Sequence, residues 1–175
     1  MWKYLATFKV PQGGCGRQCR NRQGWKVGLA MSREHWQHAT NVHWKIYSHS
    51  DYGSITLLFQ HGIPGLEVQA SRTNWISAPC IPDTVLVNIG DQMEFWTGGR
   101  FKSTQHRVVF LPEHAQHDRY SIAYFCHAND QVPLDVIPSM VLKNNKINGN
   151  QPVKTAGQHL KERLEDTYKF SETAI

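Results

Sequence analysis

A chain of 175 residues with 40% apolar and 19% charged residues is long enough for one domain with a real core, which excludes a disordered tail. No apolar run nears the roughly 18 residues of a membrane span, and Lys3, Lys9, Gln12 and Arg17 interrupt any signal-like N-terminal core, so a cytoplasmic protein without membrane partners is expected. The net charge of +5 sits in residues 1–45, where eight bases face Glu34 alone; the remaining 11 bases and 13 acids demand no nucleic-acid face.

Residues 1–46 form a basic segment of unassigned fold, with Gly13-Gly14, a Cys15/Cys19 pair and no sustained period of two or 3.6. The Cys pair lacks a second Cys or His pair at zinc-finger spacing and is read as incidental. From residue 47 the texture changes to short β-rich runs between turns. Strands are expected at 54–60, 66–70, 75–77 and 84–89, with turns at 62–65 and 78–83 between them. Asp91 as N-cap, followed by Glu94 and then Gly98-Gly99, predicts a short helix. Strands at 105–110 and 119–126 follow, making 47–140 the core. Residues 141–175 read as a loop and a final helix near 156–168, opened by Thr155 with Gln158 and carrying Leu160, Leu164 and Tyr168 on one face. Trp75, Trp96 and Phe101 are read as core residues, and His61, His114, His117 and His127 as surface or loop residues, with His127 nearest the pocket in strand register.

His49-Ser50-Asp51 places an imidazole and a carboxylate on one face of extended chain. Two His and one carboxylate on one side of an ion leave open positions opposite, the arrangement of non-haem Fe(II) oxygenases. An H-x-D tripeptide arises easily by chance among 10 His. His106 gains weight as third ligand because it lies in a strand-like run, and because Arg119-Tyr120-Ser121 follows, again with two polar residues on one face. A guanidinium fork with a hydroxyl beside it suits the far carboxylate of a dicarboxylic cosubstrate, and alternation turns Tyr120 away.

Six blocks in order resemble the 2-oxoglutarate and Fe(II)-dependent oxygenase family of the isopenicillin N synthase-like type, in its C-terminal catalytic half. They are His49 to Leu58, Gly65 to Val68, Val87 to Asp91, Trp96 to Thr104, His106 to Val108, and Arg119 to Ser121. The texture is similar to fungal members of thymine-hydroxylase-like and secondary-metabolism type. The resemblance implies a mainly β fold, a double-stranded β-helix or jelly roll with a C-terminal helix. It also implies iron on His49, Asp51 and His106, with Arg119 and Ser121 on the C5 carboxylate of 2-oxoglutarate. O2 would then oxidise a small organic molecule by hydroxylation, desaturation or ring closure, with Phe125 or Tyr124 lining the substrate pocket.

Family members are about twice this length. Their Asn/Tyr motif ahead of H-x-D has no match in context here, although Asn41 and Tyr47 lie near its expected place. The expectation is therefore a fold truncated at its N-terminal side, with residues 1–45 a replacement. Two further readings follow: an Fe(II) oxidase that does not use 2-oxoglutarate, and a non-catalytic remnant.

Overall fold

The computed structural model describes residues 5–9, 26–34, 48–109, 117–140 and 153–172. Cys15, Cys19, Asn41, Tyr47, His114 and the Asn-rich stretch 144–150 lie outside them. Eight strands are described: β1 (Leu5–Lys9), β2 (Lys26–Glu34), β3 (Ile55–His61), β4 (Leu66–Gln69), β5 (Trp75–Ser77), β6 (Thr84–Ile89), β7 (His106–Val108) and β8 (Arg119–His127). Helix α1 spans Asp91–Trp96 and helix α2 spans Ala156–Glu172. The runs expected from residue 54 onward are all present, with ends shifted by up to two residues. The basic segment, for which the sequence offers no period, supplies β1 and β2.

The strands form two antiparallel sheets, one ordered β1-β6-β3-β8-β2 and the other β5-β4-β7. This mainly β arrangement closed by a C-terminal helix is the expected jelly-roll architecture. An isolated bridge extends the smaller sheet by one residue: His49 and His106 exchange backbone hydrogen bonds of 3.0 and 2.9 Å. Leu66 of β4, Leu86 of β6 and Ala78 are buried together, with Leu58 of β3 packed against them, so the apolar core ties one sheet to the other. A second cluster of Ala128, Leu134 and Ala156, with Trp96 and Val132 against it, seats the start of α2. Among the described residues no helix is long and apolar enough to cross a membrane.

Strand alternation divides the sheet faces. On β8, Arg119 and Ser121 are buried while Tyr120 and Ile122 are exposed, and on β3 Thr56 is buried while Phe59 is exposed. Met31, Ile122 and Phe59 stand in one cross-strand register row on the outer side.

Three local expectations are corrected. Gly90, rather than Asp91, is the N-cap of α1, and among the described residues no side chain caps that helix. Its first amides are satisfied from outside: Asp91 N–H donates to the Asp51 carbonyl at 2.8 Å and Gln92 N–H to the Gly53 carbonyl at 2.9 Å. Phe101 is exposed, because the Gly98-Gly99 turn, with φ of +58° and +78°, carries the chain outward before it. On α2 the buried contacts are made by Ala156 and His159, whereas Leu164 is exposed. The Thr155 capping box forms as expected, with Thr155 N–H donating to Gln158 Oε1 at 2.9 Å and Gln158 N–H to Thr155 Oγ1 at 3.3 Å.

The segment 51–54 crosses two neighbours at backbone contact. A Cβ on Gly53 would lie 2.4 Å from the Cys126 carbonyl, and one on Gly90 would lie 2.3 Å from the Gly53 carbonyl. Gly53→Ala is expected to destabilise the fold by about 1–3 kcal/mol, the usual cost of overpacking a rigid site, as read by chemical denaturation.

Candidate metal and carboxylate site

The two sheets contribute different halves of one site. His49 and His106 come from the smaller sheet, where their bridge sets the rings side by side with centroids 4.4 Å apart. Asp51 is held by the larger sheet. Thr56 Oγ1 and Asn88 Nδ2 each donate to Asp51 Oδ2 at 2.6 Å. Thr56 and Asn88 are direct register partners across β3 and β6, so a single cross-strand pair grips one carboxylate oxygen. The other oxygen, Oδ1, lies 3.6 Å from His106 Nε2.

The ligand atoms of His49, Asp51 and His106 all lie within 4.8 Å of one another. Their chemistry fits a divalent cation. His106 Nδ1 sits 3.1 Å from the Thr104 carbonyl, which can only accept, so this nitrogen carries the proton and Nε2 turns its lone pair toward Asp51. Burial pushes the His106 pKa below its ordinary value; His49 adds to the shift, while Asp51 and the Thr104 carbonyl oppose it. An imidazole whose charged form is disfavoured, beside a buried carboxylate, is a donor set suited to a cation.

The same cavity, about 140 Å3, reaches the second predicted pair. Arg119 and Ser121 both line it, and both are buried, at 3% and 9% exposure. Arg119 Nη1 donates to Ser121 Oγ at 3.3 Å and Nη2 to Gln60 Oε1 at 3.1 Å, while Ser32 and Ser121 hydroxyls meet at 2.8 Å. Leu58, Leu66, Val68, Val108 and Ala123 supply apolar wall, and Phe125 lines the cavity as well. His127 is not among the lining residues. His61 and His117 are exposed.

Sequence reasoning missed Thr56, Asn88, Gln60 and Ser32. The first two carried a signal: each is a polar residue beside apolar ones at an inward position of a strand, a position that needs a buried partner. Gln60 and Ser32 become visible only through the register of β8 with its two neighbours.

A family profile described as the 2OG-Fe(II) oxygenase superfamily matches residues 18–128. The chain belongs to this superfamily. It is 37% identical over 131 residues to the proline hydroxylase buaE of Petromyces alliaceus, covering 71% of this chain and 40% of that protein. To the 2-oxoglutarate-dependent dioxygenase tropC of Talaromyces stipitatus it is 35% identical over 121 residues, covering 68% and 33%. A full-length Neurospora crassa structure in complex with alpha-KG superposes with a TM-score of 0.67 at 34% identity, covering 81% of this chain and 44% of that one. The rice dioxygenase for auxin oxidation shares the fold at a TM-score of 0.69 and 23% identity, over 82% and 48%. The chain thus spans less than half the length of these relatives.

Removing one grip on Asp51 tests the division of its oxygens. Asn88→Leu is expected to weaken divalent-metal affinity by about tenfold to a hundredfold, the usual effect of losing a partner behind a ligand, measured by Mn(II) titration.

Proposed function

We propose that this chain carries the catalytic core of an Fe(II)- and 2-oxoglutarate-dependent dioxygenase that oxidises a small organic molecule. His49, Asp51 and His106 hold the iron, and Arg119 with Ser121 takes the far carboxylate of 2-oxoglutarate. The single observation behind this reading is that a His-Asp-His cluster and a buried Arg-Ser pair face one cavity from separate strands. Thr56, which anchors Asp51, and Gln60, which anchors Arg119, stand four residues apart on β3. Leu58 and Ala123, register partners, line the cavity between these anchors, so it offers polar groups at two places with an apolar wall between them, which suits a dicarboxylic acid.

Each protein group has a definable part in the reaction. Arg119 offers a planar fork and Ser121 a further donor, which fix the distal carboxylate and so the register of the keto acid at the other end. Thr56 and Asn88 occupy one Asp51 oxygen, Oδ2, which leaves Oδ1 as the oxygen that would hold the metal. His106 is aimed by its bond to the Thr104 carbonyl, while burial lowers its pKa and so favours the unprotonated ring that can bind metal. When bound, the iron supplies O2 activation coupled to decarboxylation of 2-oxoglutarate to succinate and CO2, with oxidation of an unactivated C–H bond of the substrate. The aliphatic walls exclude water from that chemistry.

The substrate is placed among small molecules of secondary metabolism, the type suggested by the fungal texture of the sequence. Resemblance to proteins named as a proline hydroxylase and as a 2-oxoglutarate-dependent dioxygenase supports a small-molecule substrate. Phe125 is proposed to meet substrate; its lining of the cavity and its register pairing with Thr56, the anchor of Asp51, support this.

Anaerobic addition of Fe(II) and 2-oxoglutarate to the purified chain is expected to raise the weak visible charge-transfer band of a chelated keto acid. His106→Ala should abolish it. Arg119→Ala should shift the 2-oxoglutarate concentration needed upward by about tenfold to a hundredfold, the worth of a charge-assisted hydrogen bond. A folded chain that shows no band would contradict the proposal, and a band without succinate formation on turnover would point to an oxidase that leaves 2-oxoglutarate unconsumed.

A further inference from the structure

The residues interleaved with the metal-binding pair make contacts of their own. Extended backbone that aims His49 and Asp51 at the cavity turns Ser50 and Tyr52 to the opposite side. There they meet α2. Arg163 Nη2 donates to Ser50 Oγ at 3.1 Å, and its guanidinium lies 4.6 Å from the Tyr52 ring centroid. The Tyr52 hydroxyl donates to Thr167 Oγ1 at 2.6 Å, because the Thr167 hydroxyl is already donating to the Arg163 carbonyl.

Asp91 is the other end of this connection. Its Oδ2 lies 3.4 Å from Arg163 Nε and 3.2 Å from His159 Nε2. Its backbone N–H holds the Asp51 carbonyl at 2.8 Å. His159, Arg163 and Thr167 follow one another at intervals of four residues, so they share one face of α2. That polar stripe touches the residue between two candidate ligands, the residue after Asp51, and the residue whose amide fixes the Asp51 backbone. Ser50 and His159 are buried, at 6% and 5% exposure, so their ends of these contacts are shielded from water, while the Tyr52–Thr167 bond lies at the surface.

We propose that Arg163 and His159 are positioning residues, which hold the His49–Tyr52 segment from behind in the geometry that binds metal. This rests on the reading of His49, Asp51 and His106 as the metal site. Two imidazoles and a carboxylate meet at the cavity only if a four-residue stretch of chain keeps its course. Toward the cavity that stretch is tied by side chains that the ion itself requires. Toward α2 it is tied by groups the ion does not touch, and these set its course whether or not metal is present. Arg163 bridges Ser50 and Asp91 while stacking on Tyr52, a combination for which a planar fork is suited and a lysine is not.

The test uses the whole chain with Mn(II) alone as probe, read by electron paramagnetic resonance, together with hydrogen exchange of the Asp91 amide in the metal-free chain. Arg163→Ala is expected to raise the Mn(II) dissociation constant by about tenfold or more and to speed Asp91 amide exchange. Arg163→Lys should fall between wild type and Ala in both, which keeps the test open should the Ala variant fail to fold. His159→Gln, which retains a donor toward Asp91, should stay near wild type. Wild-type Mn(II) affinity and wild-type Asp91 protection in a folded Arg163→Ala or Arg163→Lys chain would overturn the proposal, even if thermal stability fell. Failure of the wild-type chain to bind Mn(II) would instead remove the metal-site reading, and the Asp91 amide would then report by itself on whether α2 holds the segment.

Discussion

The site depends on how one buried carboxylate divides its oxygens. Asp51 is 5% exposed, and a charge so placed is costly unless it is fully hydrogen-bonded or neutralised. Thr56 and Asn88 satisfy Oδ2 at 2.6 Å each, while Oδ1 faces the imidazole of His106 at 3.6 Å. Burial lowers the His106 pKa, which disfavours a positive charge on that ring beside the carboxylate. Ligand atoms of His49, Asp51 and His106 lie within 4.8 Å of one another at one cavity, a donor set that suits a divalent cation.

The backbone course of Asp51 is fixed where the larger sheet meets α1. Gly53 and Gly90 let three chain segments pass at contact distance, so the carbonyls of Asp51 and Gly53 can meet the first amides of α1. The helix is thus capped by the loop that carries the ligand, and the loop is fixed by the helix it caps. The His49–His106 bridge then brings in the smaller sheet, which means that the metal cluster also measures the separation of the two sheets. The core of Leu58, Leu66, Ala78 and Leu86 sets that separation. Packing and chemistry are therefore coupled, and a core substitution that shifts one sheet would be felt at the ligands.

Much of this was legible in the sequence because it depends on local patterns. The H-x-D and R-x-S spacings follow directly from strand alternation, and β3 to β8 announce themselves by short β-rich runs between turns. What escaped reading is set by long-range register. Gln60 reaches Arg119 because β3 pairs with β8, and Ser32 reaches Ser121 because β2 does so on the other side. β1 and β2 themselves carry no strong period, and the sheet, rather than their own propensity, makes them strands. Helix α2 misled in a different way. Leu160 and Leu164 suggested an apolar docking face, yet the helix docks on the site through His159 and Arg163, a polar stripe whose partners lie more than sixty residues away in sequence.

Anomalous diffraction at the iron edge, from crystals of the chain grown anaerobically with Fe(II), would test the division of the Asp51 oxygens most directly. The expected result is one peak whose protein ligands are His49, His106 and Asp51 Oδ1, with Oδ2 still hydrogen-bonded to Thr56 and Asn88. A peak elsewhere, or one that draws Asp51 Oδ2 away from those two donors, would contradict it.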